Sequence, residues 1–157
     1  MSLAKFIAGA NLAAVDISSA ALAVARFNAV KHKVSDRIEF IQGDLFLDLR
    51  LDLADFDIIV SNPPYILRGE IARLEPEVQF EPRVALDGGG DGLDFYRRII
   101  DIAGLRLKEV GFLILEVGYN QALKVEKIAE GSGFFKLIEI VRDYNNIDRV
   151  IILQKDN

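Results

Sequence analysis

The chain has 157 residues, 51% of them apolar and 27% charged, which fits one compact domain with its own core and excludes disordered or collagen-like chains. Nineteen Lys and Arg against 24 Asp and Glu leave a net charge of −5, and this argues against a dedicated nucleic-acid binder, a class that is usually basic. There is no cysteine and one histidine, His32, so disulfides, a thiol nucleophile and Cys-based zinc sites are excluded, and a Ser-His-Asp triad or His-rich metal centre has almost nothing to work with.

Apolar strand-like runs alternate with helical spacing along the chain. Residues 11–17 read as a short buried strand, followed by Ser18 as an N-cap and a helix over 20–33 with Leu22, Ala25, Ala29 and Val30 near one face. His32 sits near the end of that helix, where a solvated cation suits the dipole. Residues 37–43 alternate as a second strand ending at Gly43-Asp44, and residues 56–61 form a third, stopped by Asn62-Pro63-Pro64. Residues 67–92 are irregular and hold Pro76, Pro82 and four glycines, a length that marks a functional or mobile loop. A helix over 93–108, a strand over 112–117, a helix over 121–130 and strands over 134–141 and 150–154 complete the chain. The last two strands have only a short link, so they predict an antiparallel edge.

This alternation predicts an α/β sheet with helices on both faces, as a single domain spanning 1–157. In such sheets ligands bind beyond the carboxyl ends of the parallel strands, which singles out Asp16, Asp44, Asn62 to Tyr65, and Glu116 to Tyr119. No stretch approaches the roughly 18 consecutive apolar residues of a membrane span. The first eight residues lack a signal-peptide cleavage pattern, so a cytoplasmic location without a membrane partner is expected.

Asp16 can accept two hydrogen bonds from a ribose cis-diol, or can simply favour the start of the following helix. Asp44, followed by Leu45 and Phe46, can take an adenine amino group while the apolar side chains cover the ring; Gly-Asp is also common turn chemistry. Asn62-Pro63-Pro64-Tyr65 carries the most information, although any Asn-Pro-Pro can be a turn. Two prolines fix φ and remove two donors, so the Asn carboxamide oxygen and the Pro63 carbonyl form a rigid acceptor pair for a planar amino group. Tyr65 offers a flat surface beside it. Such a site works by orientation and electrostatics, without a tuned general base. Gly88-Gly89-Gly90-Asp91-Gly92 is not a phosphate loop: Leu93 stands where the spacing needs glycine and no buried strand precedes it, so it reads as a flexible link before a helix.

Residues 60–66 (Val-Ser-Asn-Pro-Pro-Tyr-Ile) resemble the catalytic motif of methyltransferases that modify planar amino groups. Residues 80–86 (Phe-Glu-Pro-Arg-Val-Ala-Leu), 91–97 (Asp-Gly-Leu-Asp-Phe-Tyr-Arg), 116–121 (Glu-Val-Gly-Tyr-Asn-Gln) and 148–150 (Asp-Arg-Val) narrow this. Together they resemble the HemK/PrmC family of protein-glutamine N-methyltransferases, which act on the Gly-Gly-Gln glutamine of peptide chain release factors. The resemblance runs over residues 3–155. It implies a class I, Rossmann-like methyltransferase fold and S-adenosyl-L-methionine as cofactor. Asp16 with Ile17 would bind the cofactor ribose, and Asp44 with Leu45 or Phe46 would frame its adenine. Asn62 would lie against both cofactor and substrate, and Asn62, Pro63, Pro64 and Tyr65 would form the catalytic motif. No metal is implied.

Members of that family carry an N-terminal helical domain, then a strand leading into a glycine-rich loop. Here residues 3–10 match only the end of the helix that would follow that loop. The missing strand is central in the usual sheet, between those ending at Asp16 and Ser61. The expectation is therefore a truncated catalytic domain that closes the gap itself or pairs with a second copy, since unpaired buried backbone is costly. Two other functions fit the same motif: N-methylation of adenine or guanine in nucleic acid, and a non-catalytic fragment that keeps only the substrate pocket.

Overall fold

A computed structural model describes residues 1–45 and 56–156. It divides into two units, Met1–Leu53 and Ala54–Asn157. In the first, α1 (Ser2–Phe6) precedes β1 (Leu12–Asp16), α2 (Ser19–Lys31) and β2 (Ile38–Gln42). β1 and β2 pair in parallel from Leu12 opposite Ile38 to Asp16 opposite Gln42, with α2 as the crossover between them. Ser18 starts α2 as the sequence predicts: its backbone is extended and its hydroxyl accepts the Ala21 N–H at 3.2 Å. His32 is the exposed residue that ends the helix. Ala4, Ala29, Val34 and Ile38 form this unit's small buried cluster. The Arg37 guanidinium ties α1 to it by donating to the carbonyls of Ile7, at 3.2 Å, and Ala4.

The second unit contains β3 (Phe56–Ser61), α3 (Pro76–Gln79), α4 (Asp94–Arg106), β4 (Leu107–Glu116), α5 (Ala122–Ser132), β5 (Phe135–Arg142) and β6 (Asp148–Lys155). Its sheet runs β3-β4-β6-β5, with β3 parallel to β4 and β6 antiparallel to both its neighbours. β6 therefore lies inside the sheet and β5 at its edge. The side chains explain the order. Val150 to Leu153 are apolar on both faces, as an inner strand requires. β5 interleaves Lys136, Glu139 and Arg142, charges that suit an edge. Asp143 closes the connecting turn by accepting the N–H groups of Asn145 at 2.8 Å and Ile147 at 3.0 Å.

α4 and α5 pack on each other and on β4, β5 and β6. Ile59, Leu113, Leu115, Ile151 and Leu153 are buried on the sheet, with Ile99, Ile100, Ala103, Val125 and Ala129 buried on the helices. The opposite-facing Ile58 and Val60 are about half exposed, at 47% and 49%. β4 starts five residues before the expected Phe112. Phe56 pairs with Leu107, the register then shifts, and Ile58 pairs with Phe112. Lys108, Glu109 and Gly111 in the shifted segment carry no alternating apolar pattern, so this stretch gives no strand signal.

The irregular stretch 67–92 holds three single turns and then returns to the residues after Tyr65. The Ile66 N–H donates to the Leu86 carbonyl at 3.0 Å, Gly88 N–H to Ile66 at 2.8 Å, and Arg68 N–H to Gly89 at 2.9 Å. β1 and β3, the strands between which the resemblance puts a further strand, belong to separate sheets, and each has one strand neighbour among the described residues. No helix among the described residues is long and apolar enough to cross a membrane. Leu113→Ala, in the fully buried layer, is expected to cost about 3 kcal/mol in urea unfolding, and half-exposed Ile58→Ala about 1 kcal/mol; equal losses would contradict this assignment of the buried face.

Candidate active site

In the first unit, Asp16, Ile17, Asp44 and Leu45 come to the carboxyl edge of the two parallel strands. The Gly43 N–H donates to the Asp16 carbonyl at 3.1 Å, which fastens the two strand ends together. The Asp16 side chain is exposed, and its Oδ1 accepts the Ser18 N–H at 2.8 Å. Both readings of Asp16 are compatible with that geometry, because the carboxylate sits at the start of α2 and still faces solvent. The Ile17 carbonyl accepts from Gln42 Nε2 at 3.2 Å, which fixes the loop after β1. Leu45 has φ of 54°, uncommon for a residue with a Cβ. Phe46 lies outside the described residues.

In the second unit, Asn62, Pro63, Pro64 and Tyr65 leave the end of β3 through trans peptide bonds. Pro63 is buried, Pro64 and Tyr65 are half-buried, and the Asn62 side chain is exposed. Nothing among the described residues hydrogen-bonds to the Asn62 carboxamide. Tyr65 is held at both ends. Its hydroxyl donates to Glu116 Oε1 at 3.3 Å, at the carboxyl end of β4. Burial and the neighbouring Glu116 charge push its phenol pKa up. Its main-chain carbonyl accepts from Gln121 Nε2 at 2.9 Å. Behind it Tyr96 is wholly buried, with its hydroxyl 3.0 Å from the Glu116 carbonyl and 3.3 Å from Gln121 Oε1; burial raises its pKa far above the ordinary phenol value.

The glycine-rich stretch is packed here and is not a loose link. A Cβ on Gly88 would lie 2.7 Å from Tyr65 Cα, and one on Gly92 would lie 2.6 Å from the Tyr65 carbonyl oxygen, where φ of 74° also favours glycine. Gly118, after β4, is equally close: a Cβ there would lie 2.8 Å from the Tyr65 ring. The structure thus gathers Asn62 to Tyr65 with Glu116, two of the strand ends that the sequence singled out. Asp16, Ile17, Asp44 and Leu45 form a separate group in the other unit. Tyr96 and Gln121 enter the sequence reading only inside the motifs 91–97 and 116–121, which give neither a role, and the packing of the glycines on Tyr65 has no signal in the sequence.

The parallel β1-α2-β2 unit and the mixed β3-β4-β6-β5 sheet are parts of the class I methyltransferase fold. A methyltransferase from Pyrococcus furiosus superimposes with a TM-score of 0.71 at 14% identity, over 99% of this chain and 68% of that one. Residues 3–81 match the UPF0020 family, described as an RMKL-like methyltransferase domain, and the chain belongs to that family. It is 41% identical over 156 residues to the release factor glutamine methyltransferase of Fusobacterium nucleatum, covering 99% of this chain and 43% of that protein. The enzyme of the same name in Clostridium acetobutylicum is 40% identical over 154 residues, covering 97% of this chain and 53% of that protein. The chain thus spans about half the length of the curated relatives it matches.

The turn that packs on Tyr65 is braced by charge. Arg97 donates to Asp91 at 2.5 Å and to Asp94 at 3.2 Å, and the Leu93 N–H donates to Asp91 at 3.0 Å. These bonds, Arg97 first, lower the Asp91 carboxyl to about 2. Asp87, bonded by the Gly89 N–H and by Arg68, is lowered in the same direction. A carboxylate depressed in the folded state stabilises above its unfolded pKa, and that contribution is lost as pH falls through the folded value. Melting temperature is therefore expected to fall between about pH 4 and pH 2, and Arg97→Leu is expected to flatten part of that fall; an unchanged pH profile in the variant would contradict the clamp.

Proposed function

We propose that this chain is the catalytic part of an S-adenosylmethionine-dependent enzyme that N-methylates the glutamine side-chain amide in the Gly-Gly-Gln motif of peptide chain release factors. The observation that carries the reading is the proline-locked Asn62-Pro63-Pro64-Tyr65 segment at the carboxyl end of β3, with an exposed Asn62 carboxamide and a fixed Tyr65. Relatives named release factor glutamine methyltransferase, about 40% identical across nearly the whole chain, support the substrate class.

Asn62 and Pro63 act as acceptors. The Asn62 carboxamide oxygen takes one N–H of the substrate amide and the Pro63 carbonyl takes the other, so the nitrogen is turned outward, and the N–H proton it loses on methylation passes to solvent. Tyr65 packs on the flat amide. Asp16, with Ile17, takes the cofactor ribose, and Asp44 with Leu45 takes the adenine; an exposed carboxylate at the end of β1 and an acidic side chain just past β2 fit a diol and an exocyclic amino group. When bound, S-adenosylmethionine supplies an electrophilic sulfonium methyl group.

Methyl transfer from labelled S-adenosylmethionine to release factor, RNA and DNA, offered in parallel, tests the reading. Label is expected in release factor; label in nucleic acid alone would replace this function by nucleic-acid amino-group methylation, and none from a folded chain would leave a non-catalytic fragment. Asp16→Ala is expected to abolish cofactor binding by calorimetry. Asn62→Ala should spare that binding and lower turnover roughly 10²-fold, the scale of losing one preorganised polar contact. Among the described residues β1 and β3 each have one strand neighbour, and an unpaired strand edge supports pairing with a second copy. Light scattering is expected to find a dimer, and a strictly monomeric folded chain would remove that pairing.

A further inference from the structure

We infer that Gln121 is the positioning residue of the Asn62–Tyr65 segment, because its buried amide bonds the Tyr65 carbonyl and two neighbouring loops at once; the inference rests on the methyl-transfer reading above. Gln121 is 5% exposed. Its Nε2 donates to the Tyr65 carbonyl at 2.9 Å and to the Gly92 carbonyl at 3.3 Å, and its Oε1 accepts the Gly118 N–H at 3.1 Å. The surroundings fix the amide orientation. Exchanging oxygen and nitrogen would face one carbonyl against two others and an NH2 against an N–H.

Ser, Thr, Asp or Asn at the start of a helix caps it through the side chain. Gln121 is the N-cap of α5 and makes no side-chain cap bond. Its hydrogen bonds go instead to the end of the Asn62–Tyr65 segment, the glycine turn before α4 and the turn after β4. The two glycines against it admit no larger residue: a Cβ on Gly92 would lie 2.7 Å from Gln121 Nε2, and one on Gly118 2.6 Å from Gln121 Oε1. Tyr96 closes the back of the site at 3.3 Å from Oε1. Pro63 and Pro64 stiffen the segment on its upstream side, and Gln121 fastens it downstream. The two acceptors assigned to the substrate amide, on Asn62 and Pro63, lie between these restraints and β3.

The test compares the full chain with Gln121→Met, nearly isosteric without hydrogen bonds, and with the milder Gln121→Asn. All three are labelled with 3-fluorotyrosine, and the Tyr65 resonance is assigned by Tyr65→Phe. Both variants are expected to melt cooperatively and to shift or broaden the Tyr65 fluorine resonance while that of exposed Tyr144 stays in place. In the release-factor assay kcat should fall by about tenfold to 10²-fold, the scale of a misplaced reacting group, with KM for S-adenosylmethionine unchanged and Gln121→Asn the less affected. A Tyr65 resonance identical to the wild type in folded variants would overturn the inference. So would loss of folding in both, which makes Gln121 structural only. A wild-type chain that methylates nothing would sink the functional reading instead, and the Tyr65 resonance alone would then decide whether Gln121 positions it.

Discussion

Pro63 and Pro64 have no N–H groups, so the chain leaving β3 can be held there only through carbonyls and side chains. That constraint organises the second unit. The next residue, Tyr65, is bonded at its carbonyl by Gln121 and at its hydroxyl by Glu116, and the residues after it pair with the returning stretch 86–89. Glu116 and Gln121 flank the turn after β4, and residues 86–89 belong to the stretch before α4. The carboxyl end of the sheet is thus a set of loops fastened to one tyrosine, and the proline pair leaves its own acceptors unused by that fastening.

The same economy governs the exposed turns. Asp87, Asp91 and Asp143 each accept a backbone N–H two residues on and each pair with an arginine. Surface ion pairs alone contribute little. Joined to a backbone amide within a tight turn, they hold loop shape, which matters most at the glycine turn against Tyr65. A carboxylate there does locally what a strand ladder does in the sheet: it gives otherwise unpaired N–H groups an acceptor.

The two units differ in how completely their sheets are built. The second has a buried layer shared between four strands and two helices. Among the described residues the first has two strands and one crossover helix over a cluster of four small or medium apolar residues. Small cores bury little of the surface that folding must remove from water.

Local chemistry made most elements legible. Ser18 caps its helix because a hydroxyl at that position meets a free N–H two or three residues on, and β3 ends at Ser61 because prolines cannot continue a ladder. The Asn-Pro-Pro-Tyr segment and the acidic strand ends were readable for the same reason: their chemistry depends on residues adjacent in the chain. The early start of β4, the place of β6 inside the sheet and the packing of Gly88 to Gly92 on Tyr65 were decided by partners 20 or more residues away in the chain. So was the role of Gln121, 56 residues from the carbonyl it bonds. Gln121 closes the motif 116–121, but nothing in that motif names its partners; only the fold brings three loops within reach of one amide.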